Sequence, residues 1–414
     1  MSNMMSTFPP TSDSQVTLAN WRRAPFNRWG FQHVREIVPS ADIPADPNDL
    51  WSLPPVATNV SNDLIVQDET GDAIEFGRFL SATNTDAFIL VHQGRTLVEQ
   101  YANGMTRDTP HILMSVSKSM LGLLAGTLAS KGFLDIDADA VRYIPELNGS
   151  AFEGASIRHL LDMRSGLDFN EDYLATSGEI IQYRKATNWD PVELGEIPSN
   201  LRTFLPTLKE CSDPHGGDFN YTSPCTDLLG WIIERATKQR FADLFAQWIW
   251  KPLGAAKSAY ITVDGLGAPR CAGGICMTAM DLARVGQLIV QGGRRNQHQI
   301  VPEEWLEDIV LGGDPEVWNN GQFASYWPGR DMHYRSQWYV ERGPKPLLSG
   351  FGIHGQHLFV DHDRAIVIAK LSSGPVGQPH RPPPVAHTVE EVRAHSLSDI
   401  VAHCVACFTS KYKI

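Results

Sequence analysis

Apolar residues along this chain fall into two kinds of run. Short, strand-length runs sit towards both ends, and helix-spaced runs fill the middle. The first strand-length run is Ala87-Phe-Ile-Leu-Val-His92, followed after Gln93-Gly94 by Thr96-Leu-Val-Glu-Gln-Tyr101. Two such runs around a glycine turn predict a β-hairpin. Later runs at Arg335–Val340, Leu347–His354, Gln356–Val360 and Ala365–Leu371 read as strands. Helical spacing predicts helices over Ser115–Ser130, Ser156–Met163, Asp227–Thr237, Arg240–Trp250, Thr278–Gln291 and Thr388–Cys404. Glycines close two of them, at Gly132 and at Gly292-Gly293. Residues 1–80 show no such pattern, and the Pro- and Asp-rich stretch 39–54 reads as surface coil.

Two early strands and several late ones predict a single antiparallel sheet assembled from both ends of the chain. The helical middle is then an insertion. The expected fold class is α+β, an α/β/α sandwich with helices flanking an antiparallel sheet and an inserted all-helical domain. Its boundaries are 1–157 plus 277–414 for the discontinuous domain and 158–276 for the helical one. A length of 414 residues with 42% hydrophobic composition accommodates two domains with real cores.

Charge removes one class of partner. With 35 Lys+Arg against 47 Asp+Glu the formal net charge is -12, which disfavours binding to a nucleic-acid backbone. No run of 18 apolar residues predicts a membrane span. Met1–Gln15 has no basic segment followed by an apolar one, so a cytoplasmic location is expected. Six cysteines do not make a disulfide framework. The Cys404-x-x-Cys407 pair next to His403 offers at most three metal ligands, and no dinucleotide or phosphate-loop fingerprint occurs; neither a metal nor any other cofactor is expected.

Three places carry chemistry. Ser115 and Lys118 lie about one turn apart on one face of the predicted helix. A serine becomes a nucleophile when a base removes its proton, and a lysine serves as that base only if its pKa is lowered. The apolar flanks Ile112-Leu-Met114 and Met120-Leu-Gly-Leu-Leu124 would bury that face. The alternative is a capping serine and a solvated lysine. Next, Phe219-Asn-Tyr-Thr-Ser-Pro224 sits in a polar turn before a helix. Tyr221, with a phenol pKa of about 10, relays protons only beside a cation such as Lys118. Ser223 is placed to bridge the lysine and a leaving group. The third place is Gly350-Phe-Gly-Ile-His354-Gly-Gln-His357, where glycines let a ligand approach the backbone. A free strand N–H there would complete an oxyanion hole. Of the chain's tryptophans, Trp189, Trp327 and Trp338 are candidates to line an acyl or leaving-group pocket. Trp327, in Tyr326-Trp-Pro328, is the candidate lid residue.

Together these segments resemble the serine β-lactamase and penicillin-binding-protein superfamily, in its class C-like esterase branch. The nearest likeness is to the 6-aminohexanoate-dimer hydrolases, which cleave linear nylon oligomers. The resemblance is carried by Met114-Ser-Val-Ser-Lys-Ser119, Asp168-Phe-Asn-Glu-Asp-Tyr173, Phe219-Asn-Tyr-Thr-Ser223, Asp281-Leu-Ala-Arg-Val-Gly286 and Gly352-Ile-His-Gly-Gln356. Val141–Leu147 and Leu160–Gly166 match wider landmarks of the superfamily.

The resemblance implies that Ser115 is the acylated nucleophile, Lys118 its general base and Tyr221 the proton relay. Tyr173 corresponds to the tyrosine that hydrogen-bonds the scissile amide nitrogen. The backbone N–H groups of Ser115 and Ile353 would form the oxyanion hole. His354-Gly-Gln356 stands where β-lactamases carry Lys-Thr-Gly, which weakens the case for β-lactam turnover and makes His354 a candidate for binding the substrate or its leaving group. Ser223 replaces the class C asparagine.

Arg184 stands where the nylon-dimer enzymes carry an aspartate for the substrate's ammonium. A guanidinium there would repel an ammonium and attract a carboxylate. The expected function is a serine hydrolase acting on carboxylic esters or amides, with a nylon-oligomer amide hydrolase and a catalytically silent binding relative as alternatives. A homodimer is expected from general tendencies of soluble enzymes.

Overall fold

In the computed structural model, residues 4–56, 65–67, 73–327 and 329–375 are described. The predicted helix Thr388–Cys404 and the Cys404–Cys407 pair lie outside them.

The main sheet has seven strands: β1 Thr85–His92, β2 Arg95–Tyr101, β3 Met332–Arg335, β4 Trp338–Glu341, β5 Leu347–Gly352, β6 Gln356–Asp361 and β7 Ile366–Ser372. Their spatial order is β3-β4-β5-β6-β7-β1-β2, antiparallel throughout. The early hairpin joins the late meander where β1 pairs with β7, in the register Val91↔Val367. β1 and β7 are buried along almost their whole length. That is why they read as continuous apolar runs, since helices cover one face and a second apolar cluster built on Phe76, Phe79 and Phe88 covers the other.

Three helices carry candidate site residues, α1 Val116–Ser130, α2 Glu179–Ala186 and α3 Ser223–Thr237, and a fourth, α4 Ala279–Val290, packs on β1, β6 and β7. Helix α1 is buried on almost every side, from Val116 to Leu128. Two glycines allow it to sit so deep. A Cβ on Gly122 would lie 2.2 Å from the Ser336 carbonyl oxygen, and one on Gly126 would lie 2.3 Å from the Trp305 ring. The antiparallel sheet with flanking helices is the fold class expected. No helix among the described residues is long and apolar enough to cross a membrane.

Three local readings change. The stretch 335–340 is not one strand but a hairpin, turning at Ser336 and Gln337 with φ of 49° and 70°. Neither residue is a usual left-handed turn former. Tertiary bonds hold the turn instead: the Ser336 N–H donates to Asp162 (2.8 Å), and the Gln337 amide donates to the carbonyls of Leu160 (3.1 Å) and Leu161 (2.9 Å). The strand expected over 347–354 stops at Gly352, because the chain turns back at His354 and Gly355, both with positive φ. The N-terminal 80 residues are not merely coil. Ser40–Ile43 pairs with Ala259–Thr262 in a second, four-stranded sheet that also takes Ile275–Met277 and His111–Ile112. Trp21, Phe31, Val34 and Val38 bury a small core beneath it. These pieces are too short for a periodicity to register.

Candidate active site

The chain reaches Ser115 from the short strand His111–Ile112, which pairs with Met277 and Cys276. Leu113 then donates to the Ile275 carbonyl (2.9 Å), and Met114 adopts φ +46°, unusual for a residue with a Cβ. This bend sets Ser115 at the head of α1. Its hydroxyl makes no capping bond to the helix. The capping alternative therefore does not describe Ser115, and the solvated alternative does not describe Lys118, which is 1% exposed.

Lys118 Nζ donates to three oxygens: Ser115 Oγ at 3.0 Å, Ser223 Oγ at 3.0 Å and the Ala272 carbonyl at 2.8 Å. Burial pushes its pKa down to about 7; Glu171 and Asp227 pull it back up, while Arg270 pushes it down. Tyr221 is buried among Phe219, Phe323, Tyr334 and Tyr339. Its ring centroid lies 4.8 Å from Lys118 Nζ, and its side chain shares a hydrogen bond with Ser115. Burial raises its pKa, and the Glu171 charge raises it further. The structure thus brings Ser115, Lys118, Tyr221 and Ser223 together from α1, the turn before α3 and the start of α3.

The segment expected to supply an oxyanion hole makes one close approach. A Cβ on Gly352 would lie 2.7 Å from the Leu113 carbonyl oxygen and 3.1 Å from Met114 Cβ. The bare glycine therefore lets the end of β5 press against the residues just before Ser115. Among the described residues, the N–H groups of Ser115 and Ile353 donate to no acceptor.

Four residues form a supporting layer that the sequence reading did not single out. Glu171 accepts the Ser223 N–H with one carboxylate oxygen (2.8 Å) and the Tyr173 hydroxyl with the other (3.2 Å). Asp227 accepts the Ala272 N–H (2.8 Å) and binds both Arg270 and Tyr183 through its other oxygen. Asp227 thereby fixes the peptide segment whose carbonyl receives Lys118. The available signal was a lone acid in the apolar run Asp227-Leu-Leu-Gly-Trp-Ile-Ile233, and an acid two residues before Tyr173. Buried carboxylates require partners.

Other expected contacts come out differently. Arg184 does not present a free guanidinium to a substrate. It lies in α2, almost buried, and donates to the Tyr173 carbonyl at 2.9 Å and to those of Asp172 and Ala175 at 3.5 Å. It ties down the Tyr173 loop rather than selecting a carboxylate. His354 is 1% exposed, turned away into the small N-terminal core. Its Nδ1 meets the Gly374 carbonyl (2.8 Å) and its ring packs edge-on against Phe31 (4.8 Å). Burial pushes its pKa down to about 4. It is a packed structural histidine, because the left-handed turn at 354 and 355 swings its side chain into that core. Trp189 and Trp338 are core residues as well. Trp327 is half-buried against Phe351 of β5, with ring centroids 5.4 Å apart. Phe351 in turn touches Tyr339, which neighbours Tyr221. Among the described residues no group of three His, Cys, Asp or Glu is placed to hold a metal.

Several known proteins are similar to this chain. The model of the beta-lactamase family matches residues 79–388. The chain is 35% identical over 373 residues to 6-aminohexanoate-dimer hydrolase of Paenarthrobacter ureafaciens, covering 89% of this chain and 91% of that one. It is 28% identical over 183 residues to esterase EstB of Burkholderia gladioli, covering 42% of this chain and 45% of the esterase. Among solved structures, a Bacillus anthracis protein assigned as a 6-aminohexanoate-dimer hydrolase superposes with a TM-score of 0.82 at 27% identity, over 95% of this chain and 98% of that one.

Proposed function

The chain belongs to the beta-lactamase family of serine hydrolases, and we propose that it hydrolyses carboxylic esters or amides through an acyl-enzyme on Ser115. The observation that carries the reading is the position of Lys118. It is buried, its pKa is brought down to about 7, and it lies 3.0 Å from Ser115 Oγ. A lysine so placed is substantially neutral near pH 7 and accepts a proton.

The proposed reaction has two stages, acylation and deacylation. Ser115 Oγ attacks the carbonyl carbon while Lys118 Nζ takes the hydroxyl proton. The N–H groups of Ser115 and Ile353 receive the developing oxyanion. Collapse expels the alcohol or amine, which takes a proton delivered through Tyr221, with Lys118 as its source. Ser223 keeps Lys118 oriented between these partners. Water then attacks the acyl-enzyme, activated by the same groups, and Ser115 is restored. By the resemblance Tyr173 meets the leaving group, and Trp327 packs on Phe351, which continues through Tyr339 to Tyr221.

A second reading, hydrolysis of the linear 6-aminohexanoate dimer, is favoured by the relative of that name at 35% identity. The ester reading stands ahead of it because position 184, whose arginine is tied into the Tyr173 loop, supplies no acid for the substrate's ammonium. The test is labelling by a fluorophosphonate, with p-nitrophenyl esters, linear aminohexanoate dimer and nitrocefin assayed in parallel. Wild type should label at Ser115 and turn over short esters, with nitrocefin poor. Ser115→Ala should neither label nor turn over ester. Full esterase activity in Ser115→Ala would sink the assignment.

A further inference from the structure

Glu171 takes no proton in the proposed reaction, yet it holds two residues that flank the proton path, Ser223 and Tyr173. We infer that Glu171 is a positioning residue for the reaction: its two carboxylate oxygens tie the Tyr173 hydroxyl to the Ser223 N–H, and its charge faces Lys118. The inference rests on the Ser115–Lys118 reading.

The geometry is specific. Glu171 is 4% exposed, so its carboxylate is held by protein groups rather than water. One oxygen accepts the Ser223 N–H at 2.8 Å, at the N-terminus of α3, where a negative charge is favoured. Ser223 Oγ is in turn a partner of Lys118 Nζ at 3.0 Å. The other oxygen accepts the Tyr173 hydroxyl at 3.2 Å. Arg184 anchors the same loop from behind through the Tyr173 carbonyl at 2.9 Å. Glu171 thus couples the loop on the leaving-group side to the residue that orients the base. The charged and titratable groups that face Lys118 are Glu171 from this loop, Asp227 and Cys225 from α3, Arg270 from the segment after α3, and Tyr221. Glu171 is the first of the neighbouring charges acting on Lys118, and it holds the lysine's pKa up against burial.

Two substitutions separate charge from geometry. Glu171→Gln removes the charge and keeps the length. Glu171→Asp keeps the charge but is too short to reach both partners. The measurement is kcat/KM for a p-nitrophenyl ester against pH, with the rate of fluorophosphonate labelling of Ser115 followed in parallel. Neutral Lys118 is the active form, so activity rises with pH through its pKa. Without the Glu171 charge that pKa falls, and the acid limb of the Glu171→Gln profile should move to lower pH. The maximum should fall about 10- to 100-fold as Ser223 and Tyr173 lose their tether. Glu171→Asp should lose rate with its acid limb at the wild-type position.

Wild-type rates in either variant would overturn the inference, as would a Glu171→Gln profile lowered without any movement of its limb. If Glu171→Gln does not fold, judged by circular dichroism, Glu171→Asp carries the test alone: reduced rate on an unmoved limb supports the inference, and wild-type rate overturns it. Ser115→Ala run alongside distinguishes the two levels. An active Ser115→Ala defeats the proposed function, whereas an inactive one beside a normal Glu171→Gln defeats only this inference.

Discussion

Two nitrogen bases, Lys118 and His354, are buried to the same degree, and the contrast between them separates chemistry from packing. Burial pushes Lys118 down to about 7 and His354 down to about 4. Lys118 keeps three oxygens within 3.0 Å, one of them the Ser115 hydroxyl. His354 has a single backbone carbonyl, the edge of Phe31, and an Nε2 with no partner among the described residues. Their electrostatic company also differs. Glu171 and Asp227 raise the Lys118 pKa partway back towards its ordinary value. Arg22 and His111 push His354 lower still. Burial alone therefore makes a silent base. A base useful near neutral pH needs carboxylates to offset the burial and a reacting atom within reach.

Replacing the lysine tests this contrast most severely. Lys118→Met should lower kcat/KM for esters by about 10²–10⁴-fold, the range lost with a general base. The same substitution should stabilise the fold. The folded-state pKa lies below the unfolded value of 10.5, so the unfolded chain holds the extra proton between about pH 7 and 10.5. Wild type therefore loses stability as pH falls through that window, and the penalty is constant below it. Lys118→Met has no such penalty, and at pH 7 it should gain about 1–2 kcal/mol, after allowing for three lost hydrogen bonds. Ester assays and thermal melts at pH 7 and pH 10 check both halves. A variant that is inactive but less stable at pH 7 would mean the site's hydrogen bonds outweigh its desolvation.

The same contrast explains what was legible from sequence. Lys118 stood out because a lysine in the run from Met114 to Leu124 has nowhere polar to go. Tyr221 and Ser223 stood out through a polar turn before a helix. The main sheet was legible because β1 and β7 are apolar along almost their full length. Arg184 and His354 were misread for one physical reason. Position along the chain says which loop a side chain sits on, but not whether it points into the cleft or back into its own loop. Arg184 is consumed by three carbonyls of residues 172–175, and His354 is turned away by a left-handed backbone. Glu171 and Asp227 were missed because their partners, Ser223 and Ala272, lie 52 and 45 residues away along the chain.

Gly352 offers a finer test, since it lies two residues before His354 but on the active side of the turn. In Gly352→Ala the new Cβ would sit 2.7 Å from the Leu113 carbonyl oxygen, a backbone atom with no freedom to swing aside. Either the end of β5 or the Met114–Ser115 bend must shift. The Ile353 N–H then no longer faces the oxyanion, and kcat should fall about 10²-fold with a smaller change in KM. Gly77→Ala is the control, because its Cβ meets nothing within 4 Å. Equal ester activity in the two variants would remove Ile353 from the oxyanion assignment.

The smallest expected effect comes from His354 itself, and it appears in stability rather than rate. Its folded pKa of about 4 lies below the unfolded value near 6.5. Above pH 6.5 both states are neutral and the residue adds no pH dependence. Between 6.5 and 4 the unfolded chain takes up a proton that the folded chain refuses, so stability declines across that window and levels off below it. The full excursion is ~3 kcal/mol at most for a shift of this size. Asparagine tolerates the φ of +69° at this position and does not titrate. His354→Asn should therefore remove that part of the acid decline while leaving the limb of the ester profile near pH 7. Because His92, His159 and His333 are also lowered by burial, the quantity to read is the difference between wild-type and variant melts from pH 7 to pH 4. A difference that stays flat would show that His354 titrates alike in the folded and unfolded chains, and the separation drawn between the two buried bases would then fail at its structural end.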